Sequence, residues 1–125
     1  MSITYNVVKS NYRSKTPGYL ENIRGIAESH GANGVFLLIS GKGASIVDIR
    51  TMNPVETYKG KGWRKNLPSI VKWYESHAAK WHSKRVVVAP DFMYGEFVKG
   101  MENLPILYMH GSPLDIRIKA EYDIQ

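Results

Sequence analysis

Cysteine is absent from all 125 residues of the chain. This absence excludes a framework of disulfides and any metal site with thiolate ligands, and it is compatible with a reducing cytoplasm. Long apolar runs are also absent, because no stretch approaches the roughly 18 consecutive apolar residues that a membrane span needs. The first residues show no charged segment followed by a long apolar run, so we expect no signal peptide. These absences predict a soluble, cytoplasmic protein with no membrane partner.

Acidic residues are the scarcer charge, with 11 Asp and Glu against 17 Lys and Arg and a net charge of +6. The pI of the sequence is near 9.6. A basic balance of this size suits a polyanionic partner, and we expect nucleic acid, DNA in the first instance. The four histidines share no metal-ligand spacing, which argues against a zinc site. The sequence also leaves a homodimer open.

Internal repeats, low-complexity tracts and linkers are lacking, which predicts a single α/β domain over residues 1–125. Apolar runs of strand length alternate with amphipathic segments and indicate a mixed sheet, with a central hairpin, parallel crossover strands and about three helices on its faces. Predicted strands cover residues 3–8, 34–39, 44–50, 55–59, 85–89, 105–110 and 116–124. The last of these alternates polar and apolar residues, as an antiparallel or edge strand does.

Three helices are expected between these strands. Thr16 and Pro17 are expected to open the first helix, and Asp91 is expected to cap the third. The second and longest helix should span residues 67–83, with an apolar face formed by Ile70, Trp73, Tyr74, His77, Ala78 and Trp81. Its solvated face should carry Lys72, Glu75, Ser76, Lys80 and Ser83. In this position His77 is expected to be a partly buried, hydrogen-bonded packing residue.

Residues 48–65 contain the most informative pattern, in which two carboxylates precede a basic segment. Carboxylate oxygens suit hard divalent cations, so Asp48 and Glu56 are candidate ligands for Mg²⁺ or Mn²⁺. A nearby lysine such as Lys59 could help to activate a water, while the metal stabilises charge on a phosphodiester. We therefore identify Asp48, Glu56 and Lys59 as candidate catalytic residues. In the competing interpretation, the carboxylates are solvent-facing residues with lysines as cross-strand partners.

The basic side chains around this pattern are candidate contacts for nucleic acid. Cationic residues neutralise phosphates, and a tryptophan flanked by them can stack on a base. The candidates are Lys42, Lys61, Trp63, Arg64 and Lys65. Further help is expected from Lys80, Lys84 and Arg85. If about four phosphates are contacted, log affinity should fall with log salt at a slope near −3.6.

Over residues 16–90 the order of elements resembles the PD-(D/E)xK nuclease family, in particular its small phage junction-resolving endonucleases. The resemblance is carried by a helix with Glu21, a strand ending in Val47 and Asp48, and a strand with Glu56 and Lys59, followed by a helix and a further strand. It implies a metal-dependent endonuclease of viral or phage origin. The family pattern is Glu-x-Lys, whereas Glu56 and Lys59 are three apart and should face opposite sides of a strand unless a bulge intervenes.

Three other function classes remain open on the sequence, one of them a viral or plasmid-borne protein that binds a host protein. A non-catalytic nucleic-acid-binding module needs only the basic segment. A small-molecule or nucleotide binder would use the crevice beyond the parallel strands, with residues 90–94 and 110–113 at its rim.

Overall fold

The computed structural model describes residues 4–13, 15–40, 43–58, 67–101, 107–110 and 117–119. Within these ranges the chain forms one seven-stranded sheet and three helices. The strands are β1 (Thr4–Ser10), β2 (Val35–Ser40), β3 (Gly43–Asp48), β4 (Pro54–Tyr58), β5 (Val86–Pro90), β6 (Leu107–His110) and β7 (Arg117–Lys119). The helices are α1 (Tyr19–Ser29), α2 (Leu67–Lys80) and α3 (Asp91–Met101). The predicted α/β class is therefore confirmed.

The sheet is mixed, with the strand order β4-β3-β2-β5-β1-β6-β7. Its four central strands, β2, β5, β1 and β6, run parallel. On one side β3 and β4 add an antiparallel meander, and on the other side β7 adds an antiparallel edge strand. The predicted hairpin, parallel crossover and edge strand are thus present. The crossover through α3 passes over β1, which lies between β5 and β6.

Two hydrophobic cores lie on opposite faces of the sheet, because alternate residues of each central strand point to opposite sides. Val7 and Val87 belong to one core, and Val8 and Val88 belong to the other. The first face is covered by α2 and α3 and is called the α2 face, and the second is covered by α1. Buried helix residues in the cores are Ile70, Val71, Tyr74, Ala78, Met93 and Phe97 on the α2 face, and Ile23 and Ala27 on the α1 face. Among the helices of the described ranges, none has the length and apolar character that crossing a membrane requires.

The carboxyl ends of the four parallel strands meet at one edge of the sheet, which we call the carboxyl edge. Strand β4 also runs parallel to β2, because both are antiparallel to β3. Tyr58, the last residue of β4, therefore lies toward the carboxyl edge. Asp48 lies at the opposite edge, called the amino edge, because it pairs with Val35 at the start of β2.

The first helix begins later than the sequence predicts. Thr16 and Pro17 precede it, and the residue before its first turn is Gly18, with a φ of 73° and no side-chain cap. Thr16 instead stabilises the preceding turn, because its Oγ1 accepts the N–H of Arg13 at 3.3 Å and its carbonyl accepts the N–H of Tyr19 at 3.0 Å. The left-handed conformation, which glycine adopts at little cost, sets the direction in which the chain enters the helix.

The end of α2 also differs from the expectation. The helix ends at Lys80, and His82 has a φ of 52°, so the chain changes direction before residue 83. Trp81 is consequently 41% exposed rather than part of the core. Ser83 is buried rather than solvated, and its Oγ accepts the N–H of Val35 at 2.9 Å. Both expectations are wrong because a helical face cannot be projected past the residue at which the helix stops.

Candidate functional site

Two of the predicted site residues, Asp48 and Glu56, lie on the described strands β3 and β4. The others lie outside the described residues, namely Lys42, Lys59, Lys61, Trp63, Arg64 and Lys65. Their roles in catalysis and in contacts with phosphates or bases stay predictions. The structure nevertheless fixes where the basic segment, residues 59–65, joins the fold, because β4 ends at Tyr58.

Asp48 ends β3 at the amino edge and organises the turn into β4. Its Oδ1 accepts the backbone N–H of Arg50 at 2.8 Å, an arrangement in which a short carboxylate replaces a backbone acceptor. The side chain of Arg50 is 81% exposed and lies 3.8 Å from the same oxygen, so this ion pair adds little. Met52 completes the turn with a φ of 58° and donates its N–H to the Asp48 carbonyl at 2.7 Å. The Asp48 side chain, only 14% exposed, therefore has a structural role in the turn.

Glu56 lies in the middle of β4 and connects this strand to α2. Its half-exposed side chain places Oε2 at 2.6 Å from Nε2 of His77. The His77 ring packs edge-on against Trp73 with 6.0 Å between ring centroids, and Trp73 lies 5.5 Å from the ring of Tyr58. His77 is thus a partly buried, hydrogen-bonded packing residue, as the sequence predicts. The aromatic contacts hold the end of β4 against α2.

Strand alternation puts Asp48 and Glu56 on the same face of the sheet. Glu56 lies opposite Ile46 on β3, and Asp48 is two residues further along that strand. Ile46 belongs to the core beneath α2, so both carboxylates belong to the α2 face. A diagonal pair of this kind has Cα atoms about 7–8 Å apart. The two carboxylates therefore occupy neighbouring strands on one face, as a shared site requires.

The register between β3 and β4 contains one irregularity within the described strands. Val55 is the extra residue of a β-bulge, and it precedes Glu56. From Glu56, which opposes Ile46, to Tyr58 the pairing is regular. The sequence argument needs a bulge after Glu56 to bring Lys59 to the same face. The bulge in the described part of β4 comes before Glu56 and does not serve that purpose.

Among the described residues, the carboxylate oxygens of Asp48 and Glu56 are the type of donor that a divalent cation prefers. Their number is smaller than a site made by the protein alone would need. The described residues contain no group of three or more His, Cys, Asp or Glu that could hold a metal. Magnesium is commonly bound through one or two carboxylates together with water and substrate phosphates, which Asp48 and Glu56 can match. Each of the two already has a protein partner with which a metal would compete. Glu21, the helix acid implied by the resemblance, is 76% exposed, pairs with Arg24 at 3.3 Å and joins no such group.

At the carboxyl edge the structure assembles a cluster that the sequence argument does not select. The guanidinium of Arg13, in the loop after β1, lies 2.8 Å from Asp91 and 5.0 Å from the centre of the Phe92 ring. The hydrogen bond from Arg13, helped by the Phe92 N–H and the charge of Lys9, holds the pKa of Asp91 below its ordinary value. The signal that could have revealed this cluster is topological, because residues that follow parallel strands meet at one edge of a sheet.

A buried network toward the amino edge corrects the expected roles of Arg85 and Glu75. Arg85 donates to the Glu75 carboxylate through Nε at 2.7 Å and Nη2 at 2.6 Å, and the two side chains are 20% and 15% exposed. Tyr5 donates its hydroxyl to the same carboxylate at 3.1 Å. The hydrogen bonds to Glu75 raise the pKa of Arg85. Arg85 is therefore a structural partner rather than a phosphate contact, and Glu75 does not lie on a solvated face.

Comparison of the chain with protein-family models, with curated proteins and with solved structures gave no match. The assignment of function therefore rests on two features of the fold. One is the pair of carboxylates on the α2 face, and the other is the set of cationic residues at the carboxyl edge.

Proposed function

We propose that this protein binds nucleic acid, DNA in the first instance, along the carboxyl edge of its sheet. The observation that carries the proposal is the position of the excess positive charge. Residues 57–74 contain five of the 17 cationic residues and none of the 11 acidic ones, which leaves twelve cations against eleven acids elsewhere. Nearly all of the net charge thus lies between the end of β4 and the middle of α2.

The topology indicates at which edge of the sheet this charged part of the chain begins. The basic segment follows Tyr58, which lies toward the carboxyl edge, and α2 then runs back toward the start of β5, where Tyr74 accepts the N–H of Val86 at 3.0 Å. The same edge receives Lys9 near the end of β1 and Lys15 in the loop that follows, both exposed. Lys9 and Lys15 therefore lie at the edge where the chain enters the basic segment. Together with the cations of that segment they would neutralise successive phosphates.

Salt-dependent binding of a fluorescently labelled duplex, measured by anisotropy, tests this proposal. The slope of log affinity against log salt changes by about 0.9 for each lysine–phosphate contact that is lost. We expect Lys9→Ala with Lys15→Ala to weaken binding and to make the slope about 1.8 less negative. The matched control is Lys80→Ala with Lys84→Ala, which removes the same charge from exposed positions at the end of α2 and before β5. The sequence predicts help from these two lysines, but they lie toward the amino edge, so binding along the carboxyl edge does not need them. Equal effects of the two double variants, or a wild type that binds neither the duplex nor its single strand, would refute the proposal.

A second candidate function is metal-dependent hydrolysis of the bound strand, with Mg²⁺ or Mn²⁺ as the cofactor. It is favoured by the shared face of Asp48 and Glu56 on neighbouring strands. The order α1-β2-β3-β4-α2-β5 also supports it, since the resemblance to PD-(D/E)xK nucleases requires this order. The metal would supply a Lewis acid and lower the pKa of a bound water. The carboxylates would hold that ion, and the role of Lys59 in positioning the water stays a prediction of the sequence.

Isosteric variants separate hydrolysis from binding without disturbing the turn. Asp48→Asn retains the oxygen that accepts the Arg50 N–H, and Glu56→Gln retains an oxygen facing His77. Branched, duplex and single-stranded DNA should be incubated with Mg²⁺, Mn²⁺ or EDTA. A nuclease predicts cleavage that EDTA stops and that both variants lose while they still bind DNA. Binding without cleavage under every condition identifies the protein as a non-catalytic module.

A further inference from the structure

The two central strands β1 and β5 end at a point where the chain departs in opposite directions. From β1 the chain leads to α1 on one face of the sheet, and from β5 it leads directly to α3 on the other face. Neighbouring parallel strands with this divergence leave a crevice outside their carboxyl ends, where ligands of open α/β sheets bind. Ser10 and Pro90 are opposite each other at this point.

Exposed aromatic residues follow both of the strands that border this crevice. Phe92, in the first turn of α3, is 57% exposed, and Tyr12, two residues after β1, is 38% exposed. Core packing does not explain a phenylalanine that is more than half exposed. Arg13 places its guanidinium over the Phe92 ring, so a cation and an aromatic surface are adjacent. Lys9 lies close enough for its charge to act on Asp91.

Aromatic rings beside cations distinguish between forms of nucleic acid. The faces of bases in a duplex are already stacked on one another, whereas an unpaired base can stack on a protein ring while its phosphate meets a cation. We propose that the carboxyl edge binds single-stranded nucleic acid, with an unpaired base stacked at Phe92 and Tyr12 and an adjacent phosphate held by Arg13 and Lys9. This inference rests on the proposed function and names the form of its ligand.

The Asp91 carboxylate competes with a bound phosphate for the guanidinium of Arg13. Asp91 occupies the guanidinium at 2.8 Å, and a phosphate of the ligand takes this place when the strand binds. Asp91→Asn retains the oxygen that accepts the Phe92 N–H at 2.8 Å but loses the charge. We expect this variant to bind single strands more tightly than the wild type.

The experiment compares a labelled single-stranded oligonucleotide, its duplex and a mononucleotide by anisotropy and competition. Phe92→Ala should weaken binding of the single strand by roughly 5- to 150-fold, the range expected for loss of one stacked base, and should leave the salt slope unchanged. Phe92→Trp should restore binding. The control is Trp81→Ala, which removes an exposed aromatic ring just beyond the carboxyl-terminal end of α2 and should have no effect. Circular dichroism of each variant confirms that the fold is retained.

The outcomes separate this inference from the function on which it rests. Binding of single strand and duplex with equal affinity, unaffected by Phe92→Ala, overturns the inference and leaves nucleic-acid binding intact. A mononucleotide that competes as well as the oligonucleotide also overturns it, because the crevice is then a nucleotide pocket. A wild-type protein that binds neither form overturns both proposals.

Discussion

Raising the pH above 10 is expected to destabilise this protein through two buried tyrosines. Tyr5 and Tyr74 are 1% and 0% exposed, and their rings pack edge to face with 6.1 Å between centroids. Burial raises the pKa of both hydroxyls well above the ordinary value of 10.0, and the neighbouring Glu75 raises that of Tyr5 further. In the unfolded chain both hydroxyls ionise near pH 10, whereas in the folded protein they remain protonated.

The sign and size of the effect follow from proton linkage. Above the unfolded-state pKa the folded state holds more protons than the unfolded state, so the free energy of unfolding falls as the pH rises. Each tyrosine contributes a slope of about 1.4 kcal/mol per pH unit. Between about pH 9 and 11 the pair should remove about 3 kcal/mol, out of a typical domain stability of roughly 5–15 kcal/mol. Tyr19, which is less buried and also has a raised pKa, adds a smaller loss.

Urea unfolding followed by circular dichroism across this pH range measures the slope directly. Tyr5→Phe should reduce the loss by about half, and adding Tyr74→Phe should leave only the smaller contribution of the remaining tyrosines. Tyr12→Phe, at an exposed position, serves as the control and should leave the slope unchanged. If the double variant loses as much stability as the wild type, the two hydroxyls are not the groups that protect the folded state from base.

Three further predictions concern side chains with defined contacts. Glu75→Gln should cost about 2–4 kcal/mol, because it leaves a mostly buried guanidinium without its counter-charge, and thermal unfolding should register this as a fall in Tm of about 8–15 °C. Gly34→Ala makes a Cβ clash with the Ser83 Oγ and should cost about 1–3 kcal/mol. In a urea double-mutant cycle, the variant that also carries Ser83→Ala should lose less stability than the sum of the two single changes. Glu56→Gln should tighten binding of the oligonucleotide more than the exposed Glu28→Gln does, because Glu56 is closer in sequence to the basic segment. Equal affinities of these two variants would contradict a basic interface beside β4.

The fold class was predictable because local signals and tertiary packing agree along most of the chain. The strands β2 and β5 are continuous apolar runs, and both are buried on two faces, as such runs favour. Turn residues before β3 and β4 then indicate the meander. The insertion of β5 between β1 and β2 was not predictable, since no local pattern encodes which strands become neighbours. This insertion creates the crevice at the carboxyl edge.

The candidate site was predictable only where it depends on strand alternation. Alternation along β3 and β4 puts Asp48 and Glu56 on one face, but it does not reveal that each carboxylate already has a hydrogen-bonding partner. Glu75 shows the same limit, because its guanidinium partner is ten residues away across a reversal of the chain. The cluster of Arg13 and Phe92 joins segments about 80 residues apart and has no signature in the sequence of either.

The direction of the strands separates binding from hydrolysis. Ala44 on β3 pairs with Tyr58, after which the basic segment begins, and Asp48 lies four residues further along β3. About 13 Å therefore separates Asp48 from the start of the basic segment along the strand direction. A nucleic-acid strand held by phosphate contacts at the carboxyl edge reaches Asp48 only if it continues along the α2 face across Glu56 and His77. Binding at the edge needs none of these three side chains. A nuclease therefore requires DNA that covers both regions, and shortening the oligonucleotide should abolish cleavage before it abolishes binding.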